Sequence, residues 1–220
     1  KTNPTVLIDM PKIHEKAIVR LDADEVALLL DYVEHCGDTL TGQKKAYYEK
    51  TKERDLALIT LLLGTGIRVS ECVGLDLEDL DFKNNAVKVT RKGGNEMFVY
   101  FGPEVEKALM SYLTVREKIV PVSGHEHALF YSTQRKRIGI QAVENLVKKY
   151  AREVTTAKKI TPHKLRSTYG TALYQETGDI YLVADVLGHK DVNTTRKHYA
   201  AIDEARRRQA ATAVRLREDS

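Results

Sequence analysis

Residues 52–71 read K-E-R-D-L-A-L-I-T-L-L-L-G-T-G-I-R-V-S-E. From Leu56 to Leu63 every position except Thr60 is apolar. No polar face remains, so the run predicts a helix buried on all sides at the centre of a domain. Gly64-Thr65-Gly66 then breaks it, because glycine reaches the left-handed backbone angles at which helices end. A cation, Arg68, follows at once, with Glu71 three residues further on. Taken alone, those two side chains read as a surface i, i+3 ion pair.

On the N-terminal side of this run, Leu21-Asp22-Ala23-Asp24-Glu25 carries the signature of a helix start, with Asp22 as N-cap and Glu25 three residues on. Val26, Leu29, Leu30 and Val33 continue at i, i+3, i+4 and i+7, and Gly37 is expected to stop the helix. Thr39 to Lys45 reads as a polar loop. On the C-terminal side, between Leu75 and Phe101, the period changes from helical to two-residue. Val87 and Val89 alternate with Lys88 and Thr90, Gly93-Gly94 makes a turn, and Met97 to Phe101 returns, which predicts a small antiparallel sheet. Pro103 opens a helix running to about Val120, and Gln141 to Glu153 is a basic amphipathic helix. Thr161-Pro162 supplies N-cap and first turn of another helix that Gly178 closes. Helices over Asp179–Leu187, Val192–Tyr199 and Asp203 to about Arg217 complete the chain. The expected class is α+β, mostly helical, with one small antiparallel sheet inserted early.

The 220 residues hold 35 Lys or Arg against 31 Asp or Glu, a net charge of +4 that is too small to diagnose a polyanionic partner by itself. The distribution is more informative. Residues 131–170 carry ten basic residues against two acids, whereas residues 22–79 carry thirteen acids against six basic residues. Two cysteines, Cys36 and Cys72, are too few for a disulfide framework, and no Cys/His cluster has zinc spacing. No apolar stretch reaches bilayer length and the opening residues do not read as a secretory signal, so an intracellular, reducing setting is expected. Asn3-Pro4 and Met10-Pro11 read as linker punctuation.

Several polar residues stand where chemistry is possible. Lys92 sits in Arg91-Lys92-Gly93-Gly94, at a hairpin turn. His163 and Arg166, three apart just inside a helix N-terminus, share one face beside free backbone N–H groups, a geometry suited to an anion or to capping. Gly188-His189 follows an apolar helix, where a C-cap and a helix-dipole contact are the ordinary reading. Tyr199 is one of 11 tyrosines. Each is a weak signal alone. In order, however, the chain presents T-G-I-R-V-S-E, a lysine at a hairpin, H-K-L-R at a helix start, L-G-H, and a tyrosine ten residues after that histidine. This series resembles the tyrosine recombinase family, which includes site-specific recombinases and phage-type or transposon integrases.

The resemblance runs from about Leu21 to the C-terminal tail. It implies a domain layout of an interdomain linker over 1–20, a catalytic domain over 21–202 and a C-terminal exchange helix and tail over 203–220, with a DNA-binding module preceding the linker. By the same resemblance Arg68, Lys92, His163, Arg166, His189 and Tyr199 form the catalytic set, and Glu71 supports the first arginine. Three departures fall outside that set: Asn95 where a second lysine often stands, Ser167 where a histidine often follows the motif arginine, and Ala200-Ala201 after the tyrosine.

The implied reaction is phosphoryl transfer in double-stranded DNA. The tyrosine hydroxyl attacks a backbone phosphate, leaving a 3′-phosphotyrosyl link and a free 5′-hydroxyl, with no ATP, no metal and no cofactor. The family also implies a homotetramer on two DNA sites, joined by exchange of the C-terminal helix, in the bacterial cytoplasm at the nucleoid. Neither a membrane nor a small-molecule substrate is expected. Ala210, Ala213 and Val214 suit a shallow docking groove for that helix in trans or in cis. The tail arginines Arg206, Arg207 and Arg208 add to the basic stretch expected to meet phosphates. Three other readings remain open at this level: a nicking-closing enzyme of the topoisomerase kind, a non-catalytic DNA-binding regulator on the same scaffold, and a metal-dependent nuclease.

Overall fold

The computed structural model describes residues 19–91, 93–189, 191–193 and 195–196. Lys92, Tyr199, residues 1–18 of the expected linker and the tail from 203 onward lie outside the described residues, as do 194 and 197–199 of the segment expected to be helical over 192–199. The described elements are α1 (Ala23–His35), α2 (Gly42–Thr65), α3 (Val69–Gly74), β1 (Leu80–Asp81), β2 (Ala86–Thr90), β3 (Glu96–Tyr100), α4 (Pro103–Arg116), α5 (Ile140–Val154), α6 (Pro162–Thr177) and α7 (Ile180–Leu187). The three strands form one antiparallel sheet in the order β1-β2-β3. This is the mostly helical α+β arrangement expected.

Helix α2 is the axis of the domain. Its 24 residues span about 36 Å at 1.5 Å per residue. Ala57, Leu58, Ile59, Leu61 and Leu62 are all buried, because α1, α4, α5 and α6 pack around it. Gly64 lets α4 approach closely, since a Cβ there would strike Val105. The helix begins at Gly42, ten residues before Lys52 and fourteen before its apolar run. Residues 42–51 are largely polar, and only Tyr48 and Thr51 among them are buried, so they have no apolar period to announce them. Tyr48 also explains Gly37. The glycine is not a left-handed stop; it lies in a 3₁₀ turn over Cys36–Thr39, and a Cβ there would collide with the Tyr48 ring.

Two buried arginines hold the middle of the chain. Arg54 donates to Asp55 through Nε at 2.9 Å and Nη2 at 2.7 Å, and to the carbonyl of Tyr131 at 3.1 Å, while Tyr150 Oη donates to Asp55 at 3.0 Å. Arg116 ends α4 short of the expected Val120. Its guanidinium turns into the 121–139 excursion and takes the carbonyls of Glu126, Ala128 and Leu129 at 2.6–3.1 Å. That excursion pairs with the segment after α3 through Leu129 N–H to Leu75 O and Leu77 N–H to His127 O, both 2.9 Å.

The opposed charge bias of the two sequence stretches is partly consumed inside the fold. Lys158 pairs with Asp22 at 2.9 Å and Glu25 at 2.5 Å, and Arg137 pairs with Asp76. These basic residues are therefore committed to carboxylates of the acidic half. Lys148, Arg152, Lys159, Arg135 and Lys136 stay exposed.

Candidate functional site

The site is assembled at three helix ends. The first is the C-terminus of α2, where Gly66 takes φ +63°. A Cβ on Gly66 would also strike the Tyr169 ring, with Leu187 Cδ2 at 3.0 Å, so this residue seats the end of α2 against α6 and α7. The turn delivers Arg68 to the start of α3. Glu71 Oε2 accepts the Arg68 backbone N–H at 2.8 Å and Oε1 accepts Arg68 Nη1 at 2.7 Å. The pair is not the exposed one that spacing alone suggests: the Glu71 side chain is 4% exposed and that of Arg68 38%.

The second end is the N-terminus of α6, with Thr161 as N-cap and Pro162 at N1, as expected. His163 and Arg166 follow one turn apart. Arg166 is buried, donating from Nη1 to Gly66 O at 2.5 Å and from Nη2 to Leu187 O. Burial, and then the positive charges of Lys164, Arg166 and Arg68, push the pKa of His163 down. Its imidazole is thus held neutral, and both arginines lie within electrostatic reach of it. Ser167, one of the three departures from the family pattern, donates its hydroxyl to His163 O at 3.1 Å.

The third is the C-terminus of α7. Asp179 caps its start, accepting from Tyr181 N–H at 2.8 Å and Leu182 N–H at 3.0 Å. Gly188, at φ +60°, ends it, and His189 N–H folds back to Ala184 O at 2.9 Å. His189 Nδ1 lies 2.7 Å from Thr195 Oγ1. The terminal carbonyls receive guanidinium groups from three separate elements. Arg91 Nη2 reaches Val186 O at 2.7 Å, Arg166 Nη2 reaches Leu187 O, and Arg68 Nη2 reaches Gly188 O at 3.3 Å. A helix C-terminus carries partial negative charge and unpaired carbonyls, which offsets the repulsion among three cations gathered there.

The structure therefore brings Arg68, Glu71, His163, Arg166 and the Gly188-His189 turn together around one helix end. Lys92 and Tyr199 lie outside the described residues. Arg91 is the member that sequence reasoning passed over. Its signal was its place beside the hairpin lysine, which says nothing of where its side chain goes. Among the described residues no group of three or more His, Cys, Asp or Glu side chains is placed to hold a metal ion, and no helix is long and apolar enough to cross a membrane.

The chain is similar in sequence and fold to known proteins. Residues 19–206 match the sequence profile of the phage integrase family. The chain is 39% identical over 176 residues to the tyrosine recombinase XerS of Streptococcus thermophilus strain CNRZ 1066, covering 78% of this chain and 49% of that protein. The crystal structure of XerA recombinase superposes on 92% of this chain and 67% of its own, with a TM-score of 0.72 and 28% identity. XerH site-specific recombinase, solved bound to a palindromic difH substrate in a post-cleavage complex, has the same fold, with a TM-score of 0.73 over 92% of this chain and 55% of its own, at 24% identity. The chain spans about half the length of the curated relative it matches. A profile match across most of the described fold, joined to the ordered arginine, histidine and glycine-histidine blocks now seen around one helix end, places the chain in the phage integrase family of tyrosine recombinases.

Proposed function

We propose that this chain is the strand-cleaving and strand-joining part of a site-specific DNA recombinase. The observation that carries the reading is the convergence of Arg68 and Arg166 on neighbouring carbonyls of the α7 terminus, with a neutral His163 inside the field of both. Two guanidinium groups fixed this way suit the non-bridging oxygens of a phosphate, which they bind through paired hydrogen bonds and stabilise as charge builds in the transition state. The XerH structure with its difH substrate supports DNA as the partner.

In this reading Tyr199 supplies the nucleophile and Lys92 the acid, both assigned from their order in the sequence. A phenol of pKa about 10 is only ~0.1% ionised at pH 7, so its proton must leave during attack. The Tyr199 oxygen bonds to phosphorus, its proton passes to His163, the bond from phosphorus to the 5′-oxygen breaks, and Lys92 protonates that oxygen. His189 adds a hydrogen-bond donor at the phosphate. Attack by a 5′-hydroxyl from a partner strand reverses each transfer, so the bond energy is kept in the phosphotyrosyl link and no ATP is required. The protein acts as a homotetramer on two DNA sites, with the tail from Asp203 docking on a neighbouring subunit.

The test uses the full-length protein and a duplex selected by its binding from a randomised library. That duplex, nicked near the scissile phosphate so that cleavage is trapped, is incubated in excess EDTA and run on a denaturing gel. A covalent protein–DNA adduct that disappears with Tyr199→Phe is expected. No adduct from the wild type, or an equal yield from Tyr199→Phe, overturns the reading. Exchange of strands between two labelled duplexes then separates recombination from nicking and closing.

A further inference from the structure

Arg91 is the third guanidinium on the α7 terminus, and its contacts differ from those of the other two. It stands at the root of the β2–β3 turn, where its N–H donates to Asn95 O at 2.8 Å and its carbonyl accepts Gly94 N–H at 3.0 Å. From there the side chain crosses to α7 and donates to Val186 O at 2.7 Å, a link between residues 95 apart in the chain. The guanidinium lies directly on Gly188, where any Cβ would overlap it. Gly188 is therefore required twice, for its positive φ and for the space that Arg91 occupies.

As packing, this contact is poor. Arg91 Nε and Nη1 are buried and meet no acceptor among the described residues. A charged group with unmet donors costs more than an apolar side chain of the same shape. Such a residue calls for an explanation beyond stability. The explanation at hand is positional. One peptide bond separates Arg91 from Lys92, so the contact fixes the start of the lysine's segment relative to the helix end that holds Arg68 and Arg166.

We propose that Arg91 is a positioning residue: by latching the root of the β2–β3 turn onto Val186 and Gly188, it sets where Lys92 delivers its proton relative to the two phosphate-binding arginines. This rests on the reading of Lys92 as the acid, and the two ideas fail differently. The proton in question goes from the Lys92 ammonium to the 5′-oxygen as the phosphorus–oxygen bond breaks. A misplacement of about 1 Å at such a step costs on the order of 100-fold in rate.

The experiment compares wild type, Lys92→Ala and Arg91→Met in the full-length protein on the selected nicked duplex. Each cleaves one version with the natural 5′-oxygen leaving group and one with bridging sulfur there, which leaves without a proton. Melting temperature and DNA affinity are measured alongside. Arg91→Met is expected to melt and bind like wild type, to cleave the oxygen substrate about 10- to 100-fold more slowly, and to return to near wild-type rate with sulfur, as Lys92→Ala does. If Lys92→Ala is restored by sulfur but Arg91→Met is equally slow on both substrates, or equally fast on both, the latch is overturned and the acid stands. If sulfur does not restore Lys92→Ala, the acid assignment falls and takes the latch with it. Should Arg91→Met melt early, Arg91→Gln is read by the same ratio of sulfur to oxygen rates.

Discussion

Glu71 binds Arg68 twice, once at its backbone N–H and once at its guanidinium, 2.8 and 2.7 Å away. One carboxylate thus caps α3 and aims the side chain that precedes it. Hydrogen bonds to charged groups contribute about 1.5–3 kcal/mol, and the partial exposure of Arg68 puts this one toward the lower figure. Glu71→Ala should lower the melting temperature and slow cleavage by roughly 10- to 100-fold through loss of aim. Glu71→Gln keeps one acceptor and should fall between. Single-turnover cleavage at matched fractions of folded protein checks this. Equal rates for all three would show that Arg68 is aimed by Gly188 O alone.

His163 gives the pH dependence. Burial and the charges of Lys164, Arg166 and Arg68 lower its pKa, so the folded protein takes up this proton at a pH below the usual value of about 6.5. With His163 as the proposed base, cleavage should hold through pH 6.5 and fall only on further acidification, as the imidazole becomes protonated. Stability follows the same sign: below about pH 6.5 the unfolded chain binds this proton more readily than the folded one, so the contribution is lost as pH drops. Lys164→Ala removes one of the depressing charges and should move the acid limb of the rate profile to higher pH. A limb that stays in place would mean that another group controls it.

Gly66 couples the first helix end to the other two. Its φ of +63° disfavours any side chain, and a Cβ would strike Tyr169 and crowd Leu187. Gly66→Ala should destabilise the fold by more than about 1 kcal/mol. It should also slow cleavage in the protein that remains folded, because the Gly66 carbonyl holds Arg166 and Leu187 carries the carbonyl that Arg166 shares. Thermal melts with active-site titration distinguish the two losses. A variant that melts early but cleaves normally per folded molecule would confine Gly66 to packing.

The parts of the site legible in the sequence were those written locally. Asp22 with Glu25, Thr161 with Pro162, and the glycines Gly66, Gly178 and Gly188 each announce a helix end within a few residues, and the structure has all of them. The first ten residues of α2 were not legible, because only Tyr48 and Thr51 among them are buried and there is no apolar stripe to count. Arg54, Arg116 and Arg91 were illegible for a different reason. Each long side chain meets carbonyls 10 to 95 residues away, and nothing in its neighbours records which helix end or loop the fold will bring alongside. Charge runs mislead in the same way: Lys158 and Arg137 count toward a basic stretch that their own carboxylate partners partly cancel.

For the proposed DNA substrate, that cancellation separates the basic residues available to phosphates from those that are not. Lys148 and Arg152 lie one turn apart on the exposed face of α5, opposite the buried Val143, Leu146, Val147 and Tyr150. Each phosphate neutralised adds about 0.9 to the slope of log affinity on log salt, so replacing both residues by alanine should flatten that slope by up to about 2. Lys158→Ala should leave the slope unchanged, because its ammonium already lies between Asp22 and Glu25 at the start of α1. It should lower stability by roughly 0.2–1 kcal/mol instead. Salt titrations of binding to the selected duplex, with melts of the free protein, test both halves. A flattened slope for Lys158→Ala with none for the α5 pair would put the DNA on the other side of the domain.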